Sequence, residues 1–223
     1  MIYEGIEQGS DEWHALRIGR VTGSRISDVL AQGRGGAPSK ERAKYLAAIV
    51  AERLTGKSAE MTFKSAAMER GNELEAKARK AYEWNQGVTV RQVTFVTHPD
   101  IEMAGASPDG LVGDDGGYET KCPDTHTHLG YLLGGSISKN YRDQVQWNMA
   151  CTGRKWWDWC SYDDRLPGNR GAYHRRRIER DDEYIAMMED EVRSFLREVE
   201  AMILKIDRAT KFDPNDTLSE IIG

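Results

Sequence analysis

Cysteine is scarce: three residues in 223, at positions 122, 151 and 160, with no C-x-x-C pair and no even set. A disulfide framework and a cysteine-type structural zinc site are therefore not expected, and this usage points to a reducing cytoplasm. Long apolar runs are missing too. No stretch approaches the roughly 18 consecutive apolar residues of a membrane helix, so no membrane contact is expected. The opening MIYEGIEQGSDEW lacks the basic start and apolar run of a secretory signal. Nor is there an excess of positive charge: 31 basic residues against 36 acidic ones give a net charge of -5. That excludes a non-specific basic coat for nucleic acid, but not a local basic groove, because binding follows the local field. Internal repeats and low-complexity tails are absent. The one linker-like stretch, QGRGGAP at 32–38, is too short to separate domains.

What is present is a polar but globular composition, with 39% hydrophobic and 30% charged residues and with six Trp and nine Tyr to anchor a core. The length suits one domain over 1–223. Ser10 starts a short helix over 11–16, and 24–31 reads as a second. Ser39 caps a helix whose apolar face is Tyr45, Leu46, Ile49, Val50 and Leu54, stopped near Gly56. Another runs from Ser65 to Trp84, with Met68, Leu74, Ala78, Ala81 and Tyr82 inward and Gly87 at its end. These make a helical N-terminal part over 10–86.

The period then changes. Val88 and Val90, Val93 and Phe95, 102–106 and 110–112 are spaced for strands, and GDDGG at 113–117 signals a hairpin turn before a return strand over 118–122. A buried helix over 141–151 and strands over 155–162 and 172–178 complete a sheet core spanning 88–180. A long amphipathic helix over 182–209 closes the chain, with Ile185, Met188, Val192, Phe195, Leu196, Val199, Met202, Ile203 and Ile206 along one face. The expected fold is α/β or α+β: a central mixed sheet flanked by helices.

The segment that carries chemistry is SPDG-LVGDDGG-YETKCP. Asp109 follows Pro108 near the end of one strand. Glu119 and Lys121 lie two apart on the return strand, hence on one face. The hairpin brings Asp109 beside Glu119, and two carboxylates with an adjacent lysine form a hard-oxygen site for Mg²⁺. Such a metal activates water and neutralises a phosphoryl oxygen. Lys121 holds or deprotonates the attacking water, and the carbonyl of Thr120 is placed to complete the metal shell. As a bare pattern, D-x9-E-x-K also arises by chance between turn-flanking polar residues, and its value lies in the strands on either side.

The motif resembles the PD-(D/E)XK nuclease superfamily, and within it the phage lambda exonuclease-like alkaline exonucleases of viral recombination. The resemblance covers nearly the whole chain in five ordered blocks: QGSDEWHALRIGRVTGS at 8–24, ERGNELEAKARKAYE at 69–83, the SPDG and ETKCP hairpin, YRDQVQWNMACTG at 141–153, and IERDDEYI at 178–185. It implies a restriction-endonuclease-like core with Asp109, Glu119 and the Thr120 carbonyl as metal ligands and Lys121 as the catalytic lysine. Glu75, one turn past Gly71, would be a further catalytic carboxylate. Arg17, Ser24, Ser107 and Gln144 would line a pocket for the terminal 5′-phosphate of the shortened strand. Glu75 also fits as a surface glutamate paired with Arg79 at i+4. The resemblance further implies Mg²⁺ (Mn²⁺ substituting) with two ions per site, a homotrimeric ring around duplex DNA, 5′ to 3′ digestion leaving 3′ overhangs, and a single-strand annealing protein as partner. It carries over no strand-separating residues, since the loop with Arg34, the helix start at 39–42 and the segment 124–138 diverge. Two rivals stand beside it: a site-specific or structure-specific endonuclease of the same superfamily, and a non-catalytic DNA-end-binding module.

Weaker signals remain. Arg170, Arg175, Arg176, Arg177 and Arg180 crowd one segment, with acidic residues next to it. This is either a solvated face beside an edge strand or a basic strip facing a polyanion. His126 and His128, two apart, would on a strand form half of a zinc site, but no third ligand is in view and the segment reads as loop, so a structural or solvent role is the expectation. Trp156, Trp157 and Trp159 either stack on bases or, as aromatics this dense in a strand more often do, pack a core or interface.

Overall fold

The structure, a computed structural model, describes residues 1–33, 35, 37–59, 66–167 and 171–210. Arg34, Ser65 and Arg170 lie outside the described residues, as does the side chain of Met68.

The chain opens with β1 (Ile2–Tyr3), α1 (Asp11–Arg17), β2 (Val21–Thr22), a 3-10 turn at Gly23–Arg25, and α2 (Ile26–Val29). Two longer helices follow, α3 (Lys40–Thr55) and α4 (Ala66–Gln86). Five strands come next: β3 (Val90–Arg91), β4 (Phe95–Thr97), β5 (Ala104–Ala106), β6 (Gly110–Val112) and β7 (Gly116–Lys121). The remainder is α5 (Thr125–Leu132), α6 (Lys139–Thr152), β8 (Trp156–Tyr162), β9 (Tyr173–Glu179) and α7 (Asp182–Ala209).

Side-chain caps set several of these boundaries. Ser10, Ser39 and Ser138 each accept from the backbone N–H three residues on, starting α1, α3 and α6. Left-handed Gly56 and Gly153 end α3 and α6. The sheet is in two pieces, both mixed: β1-β4-β5-β2 and β3-β6-β7-β8-β9. In the larger one β7 runs parallel to β8, which is why α5 and α6 intervene as a crossover. One face of this sheet packs with α6 and α7 over the main core, including Trp147, Trp157, Trp159, Phe195 and Val145. The other carries a smaller cluster of Tyr82, Tyr118, Val90, Val112 and Cys160. Arg42 on α3 makes a two-pronged ion pair with Glu198 on α7, at 2.6 and 2.8 Å.

Three expectations are corrected. Leu54 does not belong to the buried face of α3: it is exposed, and Glu52 turns inward instead, its carboxylate accepting from the N–H groups of Gly19 and Ala59 at 2.8 and 2.9 Å. Met202 is exposed at the edge of the apolar stripe of α7, while Ile203 and Ile206 beside it still pack against the core. The stretch holding His126 and His128 is helix, not loop: Asp124 caps it, accepting from Thr127 N–H at 2.8 Å.

Candidate active site

The β6–β7 hairpin positions the chemistry. Its turn is pinned by Arg154, whose guanidinium donates to the carbonyls of Val112, Gly113 and Gly116. Strand β7 lies so close to β8 that a Cβ on Gly117 would fall 2.2 Å from the Trp157 ring, so only glycine fits there. Gly110 pairs with Tyr118, which makes Asp109 and Glu119 the next pair along. Asp109 Oδ2 accepts the Thr120 N–H at 2.7 Å.

Alternation along β7 then sorts the side chains. Tyr118 faces α4 and packs on Tyr82, with ring centroids 4.6 Å apart. Glu119 faces α6 and is only 1% exposed. Its Oε1 accepts from Lys121 Nζ at 2.6 Å and from Gln144 Nε2 at 2.7 Å, and its Oε2 accepts from Asn148 Nδ2 at 3.3 Å. Lys121 Nζ also sits 5.3 Å from the centre of the Tyr141 ring.

Glu75 joins from α4. Burial and the charge of Glu119 raise its pKa, with Arg79 and Lys121 acting the other way. No ion pair joins Glu75 to Arg79 among the described residues. Burial, Glu119 and Glu75 push the Asp109 carboxyl well above the ordinary range, against the pull of Lys121 and the Thr120 N–H. Burial opposes the Lys121 ammonium, but Glu119 and Asp109 more than offset it and hold the lysine protonated beyond its usual range.

Arg17, Ser24 and Ser107 also converge. Arg17 donates to Ser107 Oγ at 3.1 Å and to Ser24 Oγ at 3.2 Å, with Thr22 Oγ1 at 3.5 Å. Its guanidinium lies over the Trp13 ring, 4.2 Å from the centroid. The Gln144 amide donates to Glu119 Oε1 at 2.7 Å.

The arginine strip on β9 has an inner partner. Asp158 on β8 is fully buried and accepts from Arg175 at 3.0 Å, from Arg177 at 2.9 Å through two nitrogens, and from the Tyr82 hydroxyl at 2.9 Å. Arg177 further stacks on Trp156, 3.5 Å from the ring centroid. Trp157 and Trp159 are core residues. His128 is buried, with Nδ1 2.6 Å from Ser161 Oγ and Nε2 2.7 Å from the Gly171 carbonyl, so both ring nitrogens are engaged within the fold.

Two site residues escaped the sequence reading. Asn148 reaches Glu119, and its signal is the i+4 spacing from Gln144, which puts both amides on one face of α6. Asp158 gave no local signal, because its partners come from another strand and from α4.

The donor set suits a hard divalent cation. Asp109, Glu119 and Glu75 offer only carboxylate oxygens, and their mutual charge is balanced from close by through Lys121. Protein donors hold Asp109 and Glu119, and among the described residues no three His, Cys, Asp or Glu side chains stand at metal-binding spacing.

Fold and hairpin together define a nuclease-like α/β core. The sequence matches the YqaJ-like viral recombinase domain over residues 12–155. The chain belongs to that family. It is 46% identical to an alkaline exonuclease from Laribacter hongkongensis, whose crystal structure superposes with a TM-score of 0.82 over 90% of this chain and 97% of that one. The complex of that exonuclease with dAMP superposes with a TM-score of 0.83 at the same identity and coverage. A phage-related exonuclease from Haemophilus somnus 129PT shares the fold, with a TM-score of 0.67 at 16% identity over 86% of this chain and 99% of that one. None of the curated proteins compared with this sequence matches it. No helix among the described residues is long and apolar enough to cross a membrane.

Proposed function

We propose that this chain is a divalent-metal-dependent exonuclease that shortens one strand of double-stranded DNA from its ends, in recombination of phage type. The observation that carries the reading is the convergence of Glu75, Asp109 and Glu119 around Lys121 at the end of one hairpin. The 46% identity to an alkaline exonuclease along 90% of the chain supports it.

Asp109, Glu119 and the Thr120 carbonyl would hold the cation, Mg²⁺ or Mn²⁺, with Glu75 serving a second ion. Bound there, the metal supplies charge neutralisation at the phosphoryl oxygen and a more acidic water. The chain's own groups do the rest. Lys121, 2.6 Å from the Glu119 carboxylate, would hold or deprotonate the attacking water and offset phosphate charge. Arg17, Ser24 and Ser107 would form the pocket for a terminal 5′-phosphate, and Gln144, bonded to Glu119, would have to leave that carboxylate to join them. A guanidinium is suited to that dianion because it presents paired donors. This pocket underlies the 5′ to 3′ direction and the 3′ overhangs it leaves. The same reading has one nuclease domain over 1–223, a homotrimer around the duplex, a single-strand annealing protein receiving the overhang, and action in the bacterial cytoplasm.

The test compares linear duplex with covalently closed circular duplex, in Mg²⁺ and in EDTA. The proposal predicts mononucleotide release from the linear form in Mg²⁺ only, with the circle intact. Cutting of the closed circle would establish the endonuclease rival. Tight binding to ends without hydrolysis would establish the non-catalytic one.

A further inference from the structure

Asn148 sits in the middle of α6, 1% exposed, among residues that are otherwise packed as core. Its neighbours in sequence, Trp147 and Met149, are fully buried. A buried primary amide is costly unless its polar atoms find partners. Here only half of it does: Nδ2 donates to Glu119 Oε2 at 3.3 Å, while Oδ1 is buried without a hydrogen-bond partner. As a stabiliser of the core this is a poor choice, since an apolar side chain of similar size would fill the space with no orphaned oxygen. What the amide supplies that an apolar residue lacks is one donor aimed at a carboxylate.

Two features hold it in that orientation. Turned over, the amide would face Glu119 with its carbonyl, oxygen against oxygen, so the carboxylate itself selects the donor. On the far side, Oδ1 lies 2.9 Å from where a Cβ on Gly23 would stand, so glycine at 23 leaves the room the amide occupies. The helix that presents it is fixed independently. Asp143 accepts from Ser27, Lys139 and Tyr184, Gln146 bonds the Glu179 carbonyl and the Asp181 N–H, and Trp147 donates to the Gly105 carbonyl.

We infer that Asn148 is a positioning residue for Glu119: with Gln144 and Lys121 on Oε1, its amide on Oε2 fixes the plane of the carboxylate that takes the divalent cation. This rests on the nuclease reading only for what the cation does; the binding itself is tested separately. Residues that orient a metal ligand typically alter metal affinity or activity by about tenfold to a hundredfold when removed. The 3.3 Å contact belongs at the lower end.

The experiment measures Mn²⁺ binding to the whole chain by electron paramagnetic resonance, without DNA, for wild type, Asn148→Ala, Gly23→Ala and the double variant. Half-saturation of hydrolysis by Mg²⁺ and by DNA is measured on the same samples. Asn148→Ala should weaken Mn²⁺ binding about tenfold, and raise the Mg²⁺ requirement in step, while the DNA requirement stays within about twofold. Gly23→Ala crowds the same amide and should weaken Mn²⁺ binding in the same direction. The double variant should be no weaker than Asn148→Ala alone, because both changes act through one contact. Unchanged Mn²⁺ affinity in Asn148→Ala overturns the inference, as does a loss shared equally between metal and DNA. If Asn148→Ala does not fold, unaltered Mn²⁺ affinity in folded Gly23→Ala overturns it. A wild type that binds Mn²⁺ and never cleaves DNA sinks the nuclease reading and leaves the binding comparison standing on its own.

Discussion

Replacing Asp109 by asparagine should stabilise the metal-free protein. Burial and the charges of Glu119 and Glu75 raise the Asp109 carboxyl well above its ordinary range, and burial and Glu119 raise Glu75. A carboxyl with a raised folded pKa binds its proton more tightly in the folded chain. Its stabilising contribution is therefore complete below the ordinary carboxylate pKa of about 4 and is lost as pH rises through the raised folded values. At pH 8 in EDTA the wild type carries more of this cost than it does near pH 4. Like charges a few ångströms apart, at an effective dielectric constant near 20, repel by about 3–4 kcal/mol. Lys121 and the Thr120 N–H offset part of it, leaving about 1–2 kcal/mol to recover. Asparagine keeps an oxygen for the Thr120 N–H, which donates to Asp109 at 2.7 Å, and loses the charge. For a chain of this size the gain corresponds to about 2–8 °C in Tm. It should shrink towards zero near pH 4, where Asp109 is already protonated. Mg²⁺ should raise the Tm of the wild type and leave that of Asp109→Asn unmoved. A lower Tm for Asp109→Asn at pH 8 in EDTA would refute this electrostatic account of the site.

Two further outcomes follow from other parts of the structure. Arg17→Ala should narrow the preference for 5′-phosphate over 5′-hydroxyl ends by about tenfold to a hundredfold, mainly by slowing the phosphorylated substrate, since a charge-assisted contact is worth about 1.5–3 kcal/mol; initial rates on matched duplexes check it, and a fully retained preference removes Arg17 from the pocket. Asp158→Ala removes the buried partner of Arg175, Arg177 and the Tyr82 hydroxyl and should cost about 1–3 kcal/mol in urea unfolding, less than for a fully buried pair because both arginines keep part of their side chains in solvent; a loss below about 0.5 kcal/mol would mean the cluster is solvated.

The hairpin was legible because its parts agree at every level: a Pro-Asp-Gly before one strand, a GDDGG turn, and period-two placement of Glu119 and Lys121 on the next. Helix α7 was legible for the same reason, its apolar residues holding one stripe over several turns. Helix α5 was not, because THTHLGYL mixes β-branched, histidine and glycine residues of weak helix propensity, and the Asp124 cap is the feature that marks its start. The convergence of Arg17 with Ser24 and Ser107 has no spacing signature, since Ser107 comes from 90 residues away in the chain; it entered through family resemblance alone. The arginine strip divided the sequence reading because charge runs do not reveal what lies beneath them. Asp158, on the neighbouring strand, ties two of those arginines into the fold, and each keeps part of its side chain at the surface.

The central claim is that the carboxylates of one hairpin hold the metal and that hydrolysis depends on them. The most direct measurement is hydrolysis of end-labelled linear duplex by wild type, Asp109→Ala and Glu119→Ala, in Mg²⁺ and in EDTA, with circular dichroism on each protein to verify folding. The account predicts release of label by the wild type in Mg²⁺ only, and none by either folded variant. Robust Mg²⁺-dependent release by folded Asp109→Ala or Glu119→Ala would contradict it.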